Sequence, residues 1–85
     1  MDYQKIYDSL INRAKFRILD GYYEVHHIIP KCLGGNNTAE NLVKLTPEEH
    51  YTAHQLLVKI HPNNYNLTYA ATMMCVKRPN YENLS

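Results

Sequence analysis

The segment T-P-E-E-H-Y-T-A-H, residues 46–54, constrains this chain more than any other. Thr46 is a good N-cap. Pro47 sits at the first helical position, where its missing N–H costs nothing, and Glu49 stands three residues after Thr46 to complete a capping box. A helix therefore begins here, runs through Q-L-L-V-K-I and stops at Pro62. Residues four apart share a helix face, so His50 and His54 lie side by side in its first turns.

The preceding segment supplies a partner for that face. Y-Y-E-V-H-H-I-I, residues 22–29, is aromatic and β-branched and reads as a strand closed by Pro30. C-L-G-G-N-N-T-A-E-N is turn chemistry, with Gly-Gly and Asn-Asn able to take positive φ. N-L-V-K-L reads as a second short strand, giving an antiparallel hairpin with a long loop. Both ends of the chain read as helices. Tyr3, Ile6, Tyr7, Leu10, Ile11 and Ala14 form one apolar stripe over about residues 2–16, capped by Asp2, with Lys5, Asp8, Asn12 and Lys15 outward. Tyr65, Tyr69, Met73 and Val76 form a stripe over about residues 64–77, capped by Asn63 or Asn64, ended by Pro79 and expected to pack in the core. The expectation is one α+β domain over residues 1–85. Its core motif is 22–61, a hairpin plus a helix, flanked by N- and C-terminal helices.

A chain of 85 residues buries a thin core, and such domains often lean on a metal, a disulfide or a partner. With 45% hydrophobic and 20% charged residues, disorder is expected only at the ends. No apolar run approaches the ~20 residues that span a bilayer. The N-terminus has no long apolar stretch of the signal-peptide kind, so a cytoplasmic location is expected, with Cys32 and Cys75 as free thiols.

Five histidines, His26, His27, His50, His54 and His61, crowd into this core motif. His50 and His54 can reach one metal ion together. Strand residues alternate faces, so either His26 faces the helix and His27 away, or the strand end twists and both border one cleft. One of them is then a third ligand, and the other is left as an acid or base near neutral pH, where imidazole titrates. Three histidine ligands leave an open coordination position, which is catalytic in type; structural zinc sites are usually closed by four ligands that mostly include cysteine. The zinc-protease pattern H-E-x-x-H is absent, because Tyr51 follows His50. Glu24, two residues before His26 on the same strand face, is a candidate to orient it. His61, at the helix end, reads as a favourable charge there.

The run E-V-H-H-I-I-P-K-C-L-G-G, then E-N-L-V-K-L-T-P-E-E-H-Y-T-A-H, resembles the HNH endonuclease family, and in particular its small phage-type members with homing-endonuclease relatives. The match covers residues 26–54 and continues loosely to residue 60. It implies a ββα-metal fold and hydrolysis of DNA phosphodiesters with a single divalent metal. It places His26, His50 and His54 as metal ligands, His27 as general base, and Asn41 as the residue whose side chain ties down the loop and so orients the base. Products would be a 5′-phosphate and a 3′-hydroxyl. The chain lacks the cysteine pairs with which many members hold a structural zinc, so its flanking helices are expected to support the hairpin. No separate DNA-binding domain is visible in it.

A formal net charge of +1 is not that of a protein holding nucleic acid by charge alone. Candidate phosphate contacts are Arg13, Arg17, Lys31, Lys44, Lys59, Lys77 and Arg78, with Lys31, Lys44 and Arg17 favoured. Modest, salt-dependent and weakly sequence-specific DNA binding is expected. The metal is open among Mg2+, Mn2+, Zn2+ and Ni2+, although imidazole suits zinc and nickel while carboxylate-bearing sites suit magnesium. A non-catalytic metal- or nucleic-acid-binding module on the same fold is the alternative, and a homodimer or a larger phage protein is a possible partner through the Tyr- and Met-bearing helices.

Overall fold

A computed structural model describes residues 1–77 of the chain. Helix α1 spans Tyr3–Lys15, strand β1 Glu24–His27, strand β2 Leu42–Leu45, helix α2 Pro47–Ile60 and helix α3 Tyr65–Lys77; single 3₁₀ turns occur at Lys31–Leu33 and Ala39–Asn41. The small α+β architecture is the expected one, a helix followed by a two-stranded antiparallel hairpin and then helices. Pro79 and Arg78 lie outside the described residues.

Local chemistry explains the boundaries. The Asp2 carboxylate accepts from Lys5 N–H at 3.1 Å and opens α1. At α2 the reciprocal box closes: Glu49 N–H donates to Thr46 Oγ1 at 3.2 Å, and Thr46 N–H donates to Glu49 Oε1 at 2.9 Å. At α3 Asn64, rather than Asn63, accepts from Leu67 N–H at 3.1 Å. The strands are shorter than the sequence reading, four residues each, because the chain bends away at Ile28 to enter the loop.

Register decides what the hairpin offers. Glu24 pairs with Leu45, Val25 with Lys44, His26 with Val43 and His27 with Leu42. Since opposite residues share a sheet face, His26, Val43 and Leu45 turn inward and are buried. The core joins Tyr7, Leu10, Ile11 and Ala14 of α1 to Val43 and Leu45 of β2, Ala53, Leu56 and Leu57 of α2, and Leu67 of α3. The flanking helices thus brace the hairpin through apolar contact.

Three expected core positions fall elsewhere, one on α1 and two on α3. Ile6 is 41% exposed, beyond the edge of the α1 stripe. The α3 stripe is rotated: Tyr65 and Tyr69 are 77% and 55% exposed and stack on one another with ring centroids 6.3 Å apart, while Leu67 and Ala71 face the core. Apolar residues are spread around α3 with little amphipathic bias, so helical spacing alone does not decide which stripe faces the core. No helix among the described residues is long and apolar enough to cross a membrane.

Candidate metal centre

The strand and helix bring three histidines together. The ring centroid of His26 lies 5.2 Å from those of both His50 and His54, and those two are 4.9 Å apart. One ligand nitrogen from each ring falls within 4.8 Å of the others. His26 comes from the inward face of β1, and His50 and His54 from successive turns of α2, as the four-residue spacing requires.

The electrostatics suit a cation. His26 is 2% exposed, and its pKa is pushed down to about 3, first by burial and then by the neighbouring imidazoles of His54, His50 and His27. Burial, with His50 beside it, lowers His54 to about 4, and burial lowers His50 as well. All three rings are therefore held neutral at pH 7, the protonation state that a metal requires. The Nδ1 atoms of His26 and His54 are buried and make no hydrogen bond among the described residues. Unpartnered buried nitrogens are uncommon, and two at one histidine cluster suit the donor set of a cation site. The residues thus fit a divalent metal.

Partners behind the rings fix their aim. His50 Nδ1 lies 2.7 Å from Glu24 Oε1. From the sequence Glu24 is either a partner for His26 or a solvated charge; it reaches across to α2, and His26 is met by the hydroxyl of Tyr7, 2.8 Å from its Nε2. Composition and spacing gave no signal for Tyr7 beyond core packing.

His27 is half-buried and borders the same groove, a hollow of about 380 Å³ whose walls include His26, His50, His54, Lys31 and Asn66. Both histidines of the pair therefore border one cleft. His27 Nε2 lies 2.7 Å from Asn37 Oδ1. Asn37 was not singled out in the sequence; its place just after the Gly-Gly turn was the available signal.

Asn41 does not touch the His27 ring in any of its side-chain hydrogen bonds. It is buried, its Oδ1 accepts from Ile29 N–H at 2.8 Å, and its Nδ2 donates to the carbonyls of Ile29 and Asn36 at 3.0 and 2.9 Å. Its backbone carbonyl also accepts from Ile28 N–H at 2.8 Å. These bonds tie both ends of the loop together next to His27. Of the two glycines in this turn, Gly34 takes a positive φ, +94°, and no non-glycine residue among the described residues does.

The basic candidates divide. Lys31 lines the histidine groove. Lys44 and Arg17 border a different hollow, of about 470 Å³, between α1 and β2. The Lys44 ammonium sits 4.7 Å from the centre of the Tyr23 ring, and the Arg17 guanidinium is held by both carboxylate oxygens of Glu49. Arg17 thus locks the start of α2, and its charge is largely matched there. Cys32 is an exposed free thiol. His61 is the C-cap of α2.

A hairpin strand and the following helix around a three-histidine cluster fit the ββα-metal arrangement. The proteins to which the chain is similar include three of Enterobacteria phage T4. The chain is 53% identical over 76 residues to probable mobile endonuclease E, covering 88% of this chain and 53% of that protein. It is 52% identical over 75 residues to probable mobile endonuclease D, covering 82% and 29%, and 51% identical over 80 residues to probable mobile endonuclease B, covering 88% and 30%. The chain therefore spans about half the length of the first of these relatives and about a third of the others. No protein-family model matches the chain, and no solved structure matches it.

Proposed function

We propose that this chain is the catalytic module of a metal-dependent DNA endonuclease with a single-metal HNH mechanism. The observation that carries the reading is the meeting of three neutral imidazoles from β1 and α2 in a groove that His27 also borders. The similarity to proteins named mobile endonucleases supports the substrate and the reaction class.

His26, His50 and His54 would hold the cation, with His50 presenting Nε2 because its Nδ1 faces Glu24. When bound, the cation supplies positive charge to a scissile phosphate and to the oxygen that leaves it. His27 takes a proton from water as the water oxygen bonds to phosphorus and the bond from phosphorus to the 3′ oxygen breaks. The products are a 5′-phosphate and, once the leaving oxygen is protonated, a 3′-hydroxyl. Asn37 holds the His27 ring from behind, and Asn41 holds the loop that carries Asn37. Lys31 adds charge along the groove that a phosphate backbone would follow. An all-imidazole donor set favours zinc or nickel over magnesium.

Plasmid nicking by the purified chain across a panel of divalent ions tests the reading. His27→Ala should slow cleavage by ~100-fold or more while metal still binds. His54→Ala should weaken both. Cleavage by His27→Ala at the wild-type rate, or no cleavage with any ion, would overturn it.

A further inference from the structure

We infer that Tyr7, on the N-terminal helix and outside the hairpin–helix motif, is a positioning residue for the metal centre: its hydroxyl fixes the His26 ring as the Nε2–H tautomer and so turns the Nδ1 lone pair toward His50 and His54. The inference rests on the metal-binding reading above and adds to it a residue that the motif does not contain.

The argument is a count of hydrogens. The Tyr7 hydroxyl has two neighbours, His26 Nε2 at 2.8 Å and the Ile28 carbonyl oxygen at 2.7 Å. It has one hydrogen to give. The carbonyl can only accept, so the hydroxyl hydrogen points to Ile28. The Tyr7 oxygen is then an acceptor, and the proton between it and His26 must sit on Nε2. A neutral imidazole with a proton on Nε2 carries its lone pair on Nδ1. That Nδ1 is the buried nitrogen without a hydrogen-bond partner, in a ring whose centroid lies 5.2 Å from those of both His50 and His54.

The opposite arrangement fails twice. If Tyr7 donated to Nε2, the Ile28 carbonyl would lose its side-chain donor, and an Nδ1–H would be buried beside two imidazoles with nothing to accept it. The geometry around Tyr7 leaves little freedom to escape this choice. Tyr7 is 3% exposed and packed in the core, and Ile28 is pinned by its own N–H to the Asn41 carbonyl at 2.8 Å. Burial also raises the pKa of the Tyr7 hydroxyl, so it stays a neutral donor. Helix α1 therefore contributes to the site chemically as well as by packing.

The test uses the full chain and Zn2+ as the probe. Long-range 1H–15N spectra of the zinc-free wild-type protein, with His26 assigned by His26→Gln, should show the Nε2–H tautomer, and Tyr7→Phe should show a mixture. Zinc affinity, measured by competition with a chromophoric chelator, should fall ~10–100-fold in Tyr7→Phe, the range seen when the group behind a metal-bound histidine is removed. Cleavage lost at limiting zinc should return at saturating zinc. An Nδ1–H tautomer at His26 in the wild type, or a zinc affinity in folded Tyr7→Phe within two-fold of wild type, would overturn the inference. If Tyr7→Phe does not fold, the wild-type spectrum decides alone. A chain that binds zinc as described here but never cuts DNA would sink the nuclease reading and leave this one standing.

Discussion

Glu24 Oε1 and His50 Nδ1 lie 2.7 Å apart across the gap between β1 and α2. This pair links the hairpin to the metal-binding helix by a polar contact between two partly buried side chains. Glu24 thus partners His50, where the sequence offered it either as a partner for His26 or as a solvated charge. His26 already meets the Tyr7 hydroxyl at its Nε2, 2.8 Å away, and Glu24 stands two residues earlier on the same strand face. The helix packed on that face presents His50 to it instead. With Nδ1–H given to the carboxylate, His50 directs Nε2 into the cluster.

Glu24→Ala should therefore weaken metal binding by ~10–100-fold with the fold retained, and Glu24→Gln, which keeps an oxygen acceptor but no charge, should fall in between. Chelator competition with Zn2+ or Ni2+ measures this. Equal affinities in all three proteins would show that the contact does not tune His50.

Asn37 and Asn41 sit on the same loop and should fail in different ways. Asn41→Ala removes three part-buried side-chain hydrogen bonds to the Ile29 N–H and to the Ile29 and Asn36 carbonyls, for a loss of about 3 kcal/mol in urea unfolding. Asn37 is exposed and its side chain bonds the His27 ring, so Asn37→Ala should leave stability within about 0.5 kcal/mol. It should still slow cleavage by ~10-fold or more through loss of ring orientation. A cleavage defect in Asn41→Ala alone would assign base orientation to the loop and not to Asn37.

The division between what was legible and what was not follows from range. Signals carried by neighbours in sequence survived: the Thr46–Glu49 capping box, the His50–His54 spacing and the hairpin turn all appear where they were read. Contacts that depend on how elements dock were hidden. Tyr7 to His26 spans 19 residues, Arg17 to Glu49 spans 32, and Glu24 to His50 spans 26. Each is a polar pair between separate elements, and nothing in local periodicity distinguishes Tyr7 from its apolar neighbours on α1. The rotation of α3 was ambiguous for a different reason, since apolar residues spread around it with little amphipathic bias leave the period without a phase.

Gly35 is the tighter of the two glycines in the loop. A Cβ built there would stand 1.7 Å from the Ile29 carbonyl oxygen and 2.9 Å from Asn41 Nδ2. The first of these is backbone and the second is the clamp itself, so neither can yield without opening the loop that faces His27. Gly35→Ala should cost about 2–4 kcal/mol of stability, at the severe end for a single substitution, and should depress cleavage further than its effect on folding. Gly34→Ala meets no atom within 4 Å but must adopt a φ near +94°, and about 1–2 kcal/mol is expected. Urea unfolding of the two variants should rank Gly35→Ala as the more damaging; the reverse order would mean that the close approach to Ile29 relaxes easily.

Acid should unfold the metal-free chain through its own ligands. An unfolded imidazole titrates near ~6.5, whereas His26 and His54 in the folded chain lie at about 3 and about 4, lowered first by burial. Between those values the unfolded state binds more protons than the folded one, so stability rises with pH there. It is complete above pH ~6.5 and is lost as pH falls from there through about 4 and about 3. Glu49, drawn down to about 2 chiefly by its hydrogen bond to Arg17, adds a second loss that begins near pH ~4.3. At pH 5, unfolding should take up about two protons, one each for His26 and His54, with His50 adding to the number. Urea unfolding between pH 8 and 4, with proton uptake measured in parallel, checks this. Saturating Zn2+ should move the onset of the loss to lower pH, because bound metal and protons compete for the same nitrogens. A urea midpoint that stayed flat from pH 7 to 5 in the metal-free protein would mean that the cluster is hydrated enough to charge while folded, and the case for three neutral rings poised for a cation would fall with it.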